Sequence, residues 1–167
     1  MDLDAAVVGG GAVGLAVAME LSRTKRVAVI ERHGALGLET SSHNSGVIHA
    51  GIYYPTGSRK HRLCVEGNAR LYAWADAHGV RAVRRGKLII AIDASEIAAL
   101  DAVHARAVAN GVPEVAMIGA ERTHELEPQV RCVAAMWSGT TGVIDQGAYM
   151  ASLAAADQLP AASENFA

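Results

Sequence analysis

Three glycines and one acid carry the first chemical signal in the chain. Gly9, Gly11 and Gly14 lie in the run Gly9-Gly10-Gly11-Ala12-Val13-Gly14, and Glu31 follows Gly9 by twenty-two positions. Glycines so spaced let a backbone leave a strand tightly, come close to a pyrophosphate and enter a helix packed against that strand. A Cβ at Gly9 is expected to clash at the strand exit. The helix would aim its N–H groups and positive dipole end at phosphate oxygens. A carboxylate at Glu31 accepts from adenosine ribose hydroxyls and repels a 2′-phosphate, which disfavours NADP.

Such residues work only if a βαβ unit holds them. Ala5–Val8 is a short apolar run, Leu15 to Arg23 a helical pattern and Val27–Ile30 a second apolar run that ends at the acid. Ala18, four residues after Gly14, keeps the same helix face narrow. A bare GxGxxG is weak evidence, but here strand, glycines, helix, second strand and acid stand in order. A glycine-rich turn in an ordinary α/β core leaves Glu31 unexplained. Dinucleotide binding is the better reading.

Composition narrows the class. A chain of 167 residues can form one domain that buries ~70% of its unfolded surface. A net charge of −2 gives no reason to expect nucleic acid or an anionic membrane as the main partner. Cys64 and Cys132 stand far apart without CxxC spacing, which fits a reducing compartment, two small buried hydrophobes and no structural metal. The seven histidines show neither HxxxH nor HExxH spacing, so the metal expectation is none. His33, His78, His104 and His124 are read as solvent-facing. No secretory signal is expected, since the first apolar stretch follows Asp2 and Asp4 and is broken by glycines, and no apolar run is long enough to span a bilayer. The expectation is a cytoplasmic protein, with peripheral contact at the inner face of the membrane left open.

After Arg32 the periodicity stops. The segment to Gly57 is rich in small, polar and histidine residues, among them Thr40-Ser41-Ser42-His43-Asn44-Ser45-Gly46 and Val47-Ile48-His49-Ala50-Gly51-Ile52-Tyr53-Tyr54. An ordinary NAD-binding half would run on into another amphipathic helix, so an NAD-dependent dehydrogenase is the weaker reading. A long polar loop of this kind is usually functional.

These two strings, with Glu31, resemble the FAD-dependent oxidoreductases of the D-amino-acid oxidase superfamily. Asn44 to Tyr54 is most similar to its L-2-hydroxyglutarate dehydrogenase/oxidase branch, and the resemblance covers approximately residues 4 to 156. It implies an α/β fold: a Rossmann-like FAD-binding βαβ followed by the beginning of an inserted α+β substrate domain. The implied FAD contacts are Gly9, Gly11, Ala12, Val13, Gly14, Glu31, Arg32, Thr40, Ser41, Ser42, His43, Asn44, Ser45, Gly46 and Val47. Ser41 to Val47 would run beside the pyrophosphate and isoalloxazine. The implied activity is hydride transfer from a small 2-hydroxy or amino acid to flavin, with oxygen or a quinone as unassigned electron acceptor. His49 is the candidate base, and Tyr53 and Tyr54 are candidate substrate-carboxylate partners.

Downstream, Ser58 to His78 reads as a helix with Leu63, Gly67, Leu71, Trp74 and His78 as its stripe. Val80–Val83 and Gly86–Ile92 read as strands. Asp93 and Glu96 form a capping-box variant for a helix from Ala94 to Asn110, with stripe Ile97, Leu100, Val103 and Ala107. A short helix is expected from Glu121 to Glu127, a hairpin from Val133–Trp137 to Val143–Asp145, and a last helix from Gly147 to Ala156. The expected domains are 1–79 for FAD, 80–145 for part of the substrate domain, and 146–167 for a returning helix plus an atypical tail. Asp157–Ala167 shows no strand pattern, so the chain reads as truncated, less than half of such an enzyme. That keeps a catalytically incomplete nucleotide-binding fragment as an alternative.

Overall fold

Ala5–Val8 forms strand β1, Ala12–Ser22 helix α1 and Val27–Ile30 strand β2. A computed structural model describes residues 2–156 and 161–162. The chain continues through β3 (Val47–Ile48), α2 (Arg59–Ala77), β4 (Ala82–Val83), β5 (Lys87–Ala91) and α3 (Ile97–Ala109). It ends with β6 (Val115–Gly119), α4 (Ala120–Leu126), β7 (Ala134–Ser138), β8 (Gly142–Ile144), α5 (Gln146–Ala155) and β9 (Ala161–Ala162). These elements divide between two compact units. One holds residues Met1–Gly46, Ala77–Arg81 and Ile144–Ala167; the other holds Val47–Asp76 and Ala82–Val143.

In the first unit β1 and β2 run parallel, in register from Ala5↔Val27 to Val8↔Ile30. The crossover is α1, which buries Leu15 and Ala18 and packs against α5. Val27, Ala28 and Val29 are all buried, as expected for a strand covered on both faces. Asp4 fixes the start of the sheet by accepting from the backbone N–H of Arg26 at 2.8 Å and from its Nε at 3.2 Å. The far edge of β2 pairs in parallel with β9, through Val29↔Ala161 and Ile30↔Ala162. The tail therefore adds a short strand at Ala161–Ala162, against the expectation of none. Two alanines carry no period-2 signal; their position beside β2 makes the strand. The rest of the tail lies outside the described residues.

The second unit is built on the antiparallel sheet β5-β7-β6. Its central strand places Met136 opposite both Ile89 and Met117, and Ala135 and Met136 are fully buried. One side is covered by α3 through Leu100 and Ala107, joined by Ala50, Ile52 and Val112. The predicted α3 stripe is the buried one. A three-residue 3-10 turn precedes α3, where Asp93 accepts from the N–H of Ser95 at 2.8 Å. Glu96 reaches back to the N–H of Ile92 at 2.6 Å, one residue beyond the capping-box target.

Three expectations change. β7 and β8 are not a hairpin: β7 has β5 and β6 on its two edges, whereas β8 lies between β3 and β4 in another sheet. β6 was not expected at all. The buried face of α2 is Asn68, Tyr72 and Ala75, while Leu63 is exposed and Trp74 half-buried. Polar Asn68 is buried because its amide donates to the carbonyls of His49 (3.1 Å) and Thr140 (3.0 Å), and Tyr72 Oη donates to Thr140 (3.2 Å). These bonds place residues 47–76 with 82–143, so the contact boundary lies near Gly46 rather than near residue 79.

Candidate cofactor-binding site

The glycine turn leaves β1 at Gly9 with φ +102°, a left-handed geometry that glycine adopts without strain. No atom lies where its Cβ would stand, so the requirement is conformational rather than the expected clash. Steric demand falls on Gly14, whose Cβ would run into the carbonyl of Gly9. At Gly11 a Cβ would come within 3.0 Å of Ser41 Oγ, and that hydroxyl already accepts from the N–H of Ala12 at 3.0 Å. Gly11 is the N-cap of α1 and, lacking a side chain, makes no capping bond of its own. Val13, in the first turn of α1, is 80% exposed.

Glu31 stands at the end of β2 and turns back onto this loop. Its Oε2 accepts from the N–H of Gly10 at 2.7 Å and its Oε1 from the N–H of His33 at 3.0 Å. The N–H of His33, then that of Gly10, hold the carboxyl below the ordinary glutamate value. The acid therefore stays ionised at neutral pH and braces the glycine turn.

Val8, Gly9, Gly11, Ile30, Glu31, Thr40 and Ser41 border a cavity of about 490 Å³. Arg32 and Glu39 stand at the same cavity as an exposed ion pair, and His33 Nε2 meets the same Glu39 oxygen at 2.8 Å. His33 is thus half-buried and bonded rather than merely solvent-facing. Gly10, Leu38 and Glu39 were not among the residues expected here. Gly10 acts through its backbone, which composition does not reveal; Glu39 could have been sought as the partner of Arg32.

The predicted residues beyond Ser41 divide. Ser42 Oγ and the His43 ring both bond the carbonyl of Glu39, at 3.0 and 2.8 Å. Asn44 closes the turn, its amide donating to the carbonyls of Thr40 (3.2 Å) and Ser41 (3.0 Å) and its Oδ1 accepting from Gly46 (2.8 Å). Gly46 has φ +64° and lies against the carbonyl of Ile144, while Ser45 is exposed. Ser42 to Gly46 thus shape a loop, and the cavity wall ends at Ser41. Val47, His49, Tyr53 and Tyr54 belong to the second unit, where His49, Tyr53 and Tyr54 line a separate small recess with Lys87 and Thr141. Among the described residues no group of three His, Cys, Asp or Glu could hold a metal ion, and no helix is long and apolar enough to cross a membrane.

The family profile of the FAD dependent oxidoreductases, DAO, matches residues 4–159. The chain belongs to this family. Its cofactor is FAD, and the glycine turn, the Glu31 brace and the cavity suit the nucleotide half of that molecule: room for phosphates at Gly9–Gly14 and an ionised acceptor at the strand end.

Among curated DAO-family relatives, the mitochondrial L-2-hydroxyglutarate dehydrogenase of Caenorhabditis elegans is 46% identical over 147 residues, covering 86% of this chain and 34% of the relative. The Homo sapiens protein of the same name is 39% identical over 145 residues, covering 85% and 31%. The chain thus spans about a third of the length of the curated relatives it matches. Among solved structures, dithionite-reduced L-alpha-glycerophosphate oxidase from Mycoplasma pneumoniae with FAD bound superposes with a TM-score of 0.86 at 32% identity, covering 95% of this chain and 43% of that one. Glycine oxidase from Geobacillus kaustophilus gives 0.78 at 27% identity, covering 93% and 44%.

Proposed function

We propose that this chain serves the oxidation of a 2-hydroxy acid, with L-2-hydroxyglutarate as the first candidate substrate. The observation that carries the reading is the braced glycine turn around the 490 Å³ cavity, in a chain whose 46%-identical relative is an L-2-hydroxyglutarate dehydrogenase. Bound FAD would supply the hydride acceptor for the carbon that bears the hydroxyl.

The chain's own residues bind and orient. Gly9, Gly11 and Gly14 admit the pyrophosphate, with the N-terminus of α1 beside it. Glu31 keeps the turn in shape and offers a carboxylate to the ribose. Ser41 Oγ holds the first N–H of α1. His49 is the base in this reading, taking the hydroxyl proton as hydride leaves, for which it must lie within ~3 Å of that oxygen. Its ring is exposed and makes no hydrogen bond among the described residues, so it is open to substrate. Ile48, Ala50, Gly51 and Ile52 around it are buried, which fixes its backbone.

The test begins with the visible spectrum of the purified chain and the nucleotide released on denaturation. FAD is expected; NAD would reject the assignment. Gly11→Val should abolish retention, since the bulk enters both the phosphate approach and Ser41. His49→Ala should retain FAD but slow flavin reduction by L-2-hydroxyglutarate roughly 10²–10⁴-fold, the usual worth of a positioned base. Reduction at the unsubstituted rate would move the base elsewhere. A second reading, nucleotide binding without turnover, draws on the coverage: about two-thirds of each curated relative's length has no counterpart in the match. FAD retained with no reduction by any 2-hydroxy acid would favour it.

A further inference from the structure

The recess in the second unit contains a cation that the reading above leaves without a role. Lys87, at the start of β5, is half-buried and lines the recess with His49, Tyr53, Tyr54 and Thr141. Its Nζ donates to Tyr53 Oη at 3.0 Å and lies 4.7 Å from the centre of that ring. Beside it, Lys60 Nζ sits 4.6 Å from the centre of the Tyr54 ring. Neither ammonium pairs with a carboxylate among the described residues, and no acid lines the recess. An ammonium whose hydrogen-bond partner is a neutral phenol and which faces no acid leaves its charge uncompensated, and a carboxylate placed there gains a charge-assisted contact.

Hydrogen-bond direction supports the same conclusion. An ammonium can only donate, so Tyr53 Oη is the acceptor from Lys87 and its own O–H remains to be given to a further acceptor. Donation from a cation polarises that O–H toward an anion. The recess itself measures only about 10 Å³, room for one water-sized group such as a single carboxylate oxygen.

We propose that Lys87, assisted by Tyr53, is the specificity-determining residue that receives a terminal carboxylate of a dicarboxylate, the one remote from the carbon that is oxidised. This rests on the 2-hydroxy-acid reading and deepens it: an enzyme served by this recess selects a diacid over a monoacid of equal length. Lys60, over the neighbouring tyrosine, adds positive field without making the direct contact.

The test uses the chain carrying FAD and two inert probes, glutarate and pentanoate, titrated by calorimetry. The unsubstituted chain should bind glutarate at least roughly tenfold more tightly than pentanoate, the scale of one charge-assisted contact. Lys87→Met should abolish that preference by weakening glutarate alone, and Lys87→Arg should keep most of it. Unchanged hydrogen-exchange protection of β5, β6 and β7 in both variants shows that the unit carrying Lys87 is folded. Equal glutarate binding by the unsubstituted chain and Lys87→Met would overturn the proposal, as would a FAD-loaded chain that does not prefer glutarate. Failure of the broader reading is separate: it would show as a flavin that L-2-hydroxyglutarate does not reduce, whatever glutarate does at Lys87.

Discussion

At the scale of single residues, Glu31 braces the glycine turn, and in the proposed function it is also a ligand for the cofactor. Because its carboxyl is held below the ordinary value, its contribution is complete above that value and fades as pH falls through the lowered one. FAD retention should therefore hold at pH 5 and weaken below ~4, the region of an ordinary glutamate pKa. Glu31→Gln should lower affinity roughly ten- to a hundredfold at neutral pH and flatten that acid limb, as read by flavin fluorescence on release. Gly14→Ala forces a Cβ into the Gly9 carbonyl and should abolish FAD retention, read by the flavin spectrum of the purified chain. Asn110 is a residue that sequence reasoning passed over. Buried at the end of α3, it donates to the carbonyls of Gly51 (2.9 Å) and Tyr54 (3.0 Å) and accepts from Thr56 Oγ1 (2.6 Å). Asn110→Ala strands the buried carbonyl of Gly51 and the half-buried one of Tyr54 and should cost roughly 1–3 kcal/mol, read as lost hydrogen-exchange protection at the end of α3. The glycine turn and the acid beside it were legible because Gly9, Gly11, Gly14 and Glu31 fall within one local unit of chain. Asn110 and Lys87 reach residues 51–54 across long sequence separations, and no local pattern announces that.

At the scale of elements, periodicity succeeded where apolar side chains alone decide burial and failed where hydrogen bonds do. The α3 stripe follows the first rule: Leu100 and Ala107 face the sheet as the spacing predicts. On α2 the carbonyls of His49 and Thr140 draw Asn68 and Tyr72 inward and leave Leu63 at the surface. The expected hairpin failed for a related reason. Strand type was readable from Val133 to Asp145, but partners were not, and β6 escaped notice because Val115–Gly119, though preceded by Asn110-Gly111 and Pro113, is a five-residue run with no period-2 alternation. Since β7 holds both neighbours, a cavity at its centre should be felt across the whole sheet. Met136→Ala is expected to cost about 2–5 kcal/mol, checked as lost hydrogen-exchange protection throughout β5, β6 and β7.

At the scale of the molecule, the parallel sheet β1-β2-β9 is small and leaves apolar surface in water. Val8 is 83% exposed and Val13 80%. Parallel sheets normally carry more strands with cover on both faces. The 167-residue chain alone should therefore bind a dye that reports exposed apolar surface and melt without a sharp transition. A steep, reversible melt from a monomer would contradict this. The division of the chain has a further consequence, for synthesis. Helix α1, with Leu15 buried, is packed against α5, which holds the buried Leu153, and more than a hundred residues separate Ile30 from Gln146. At ribosomal rates of ~5–20 residues per second, the nascent β1-α1-β2 segment waits roughly 5–25 s for the helix that covers it. The second unit, drawn from the chain between, is translated during that wait. The β1-α1-β2 segment therefore emerges before the second unit and is covered by α5 only after it, which leaves its apolar face open through the whole of that unit's synthesis.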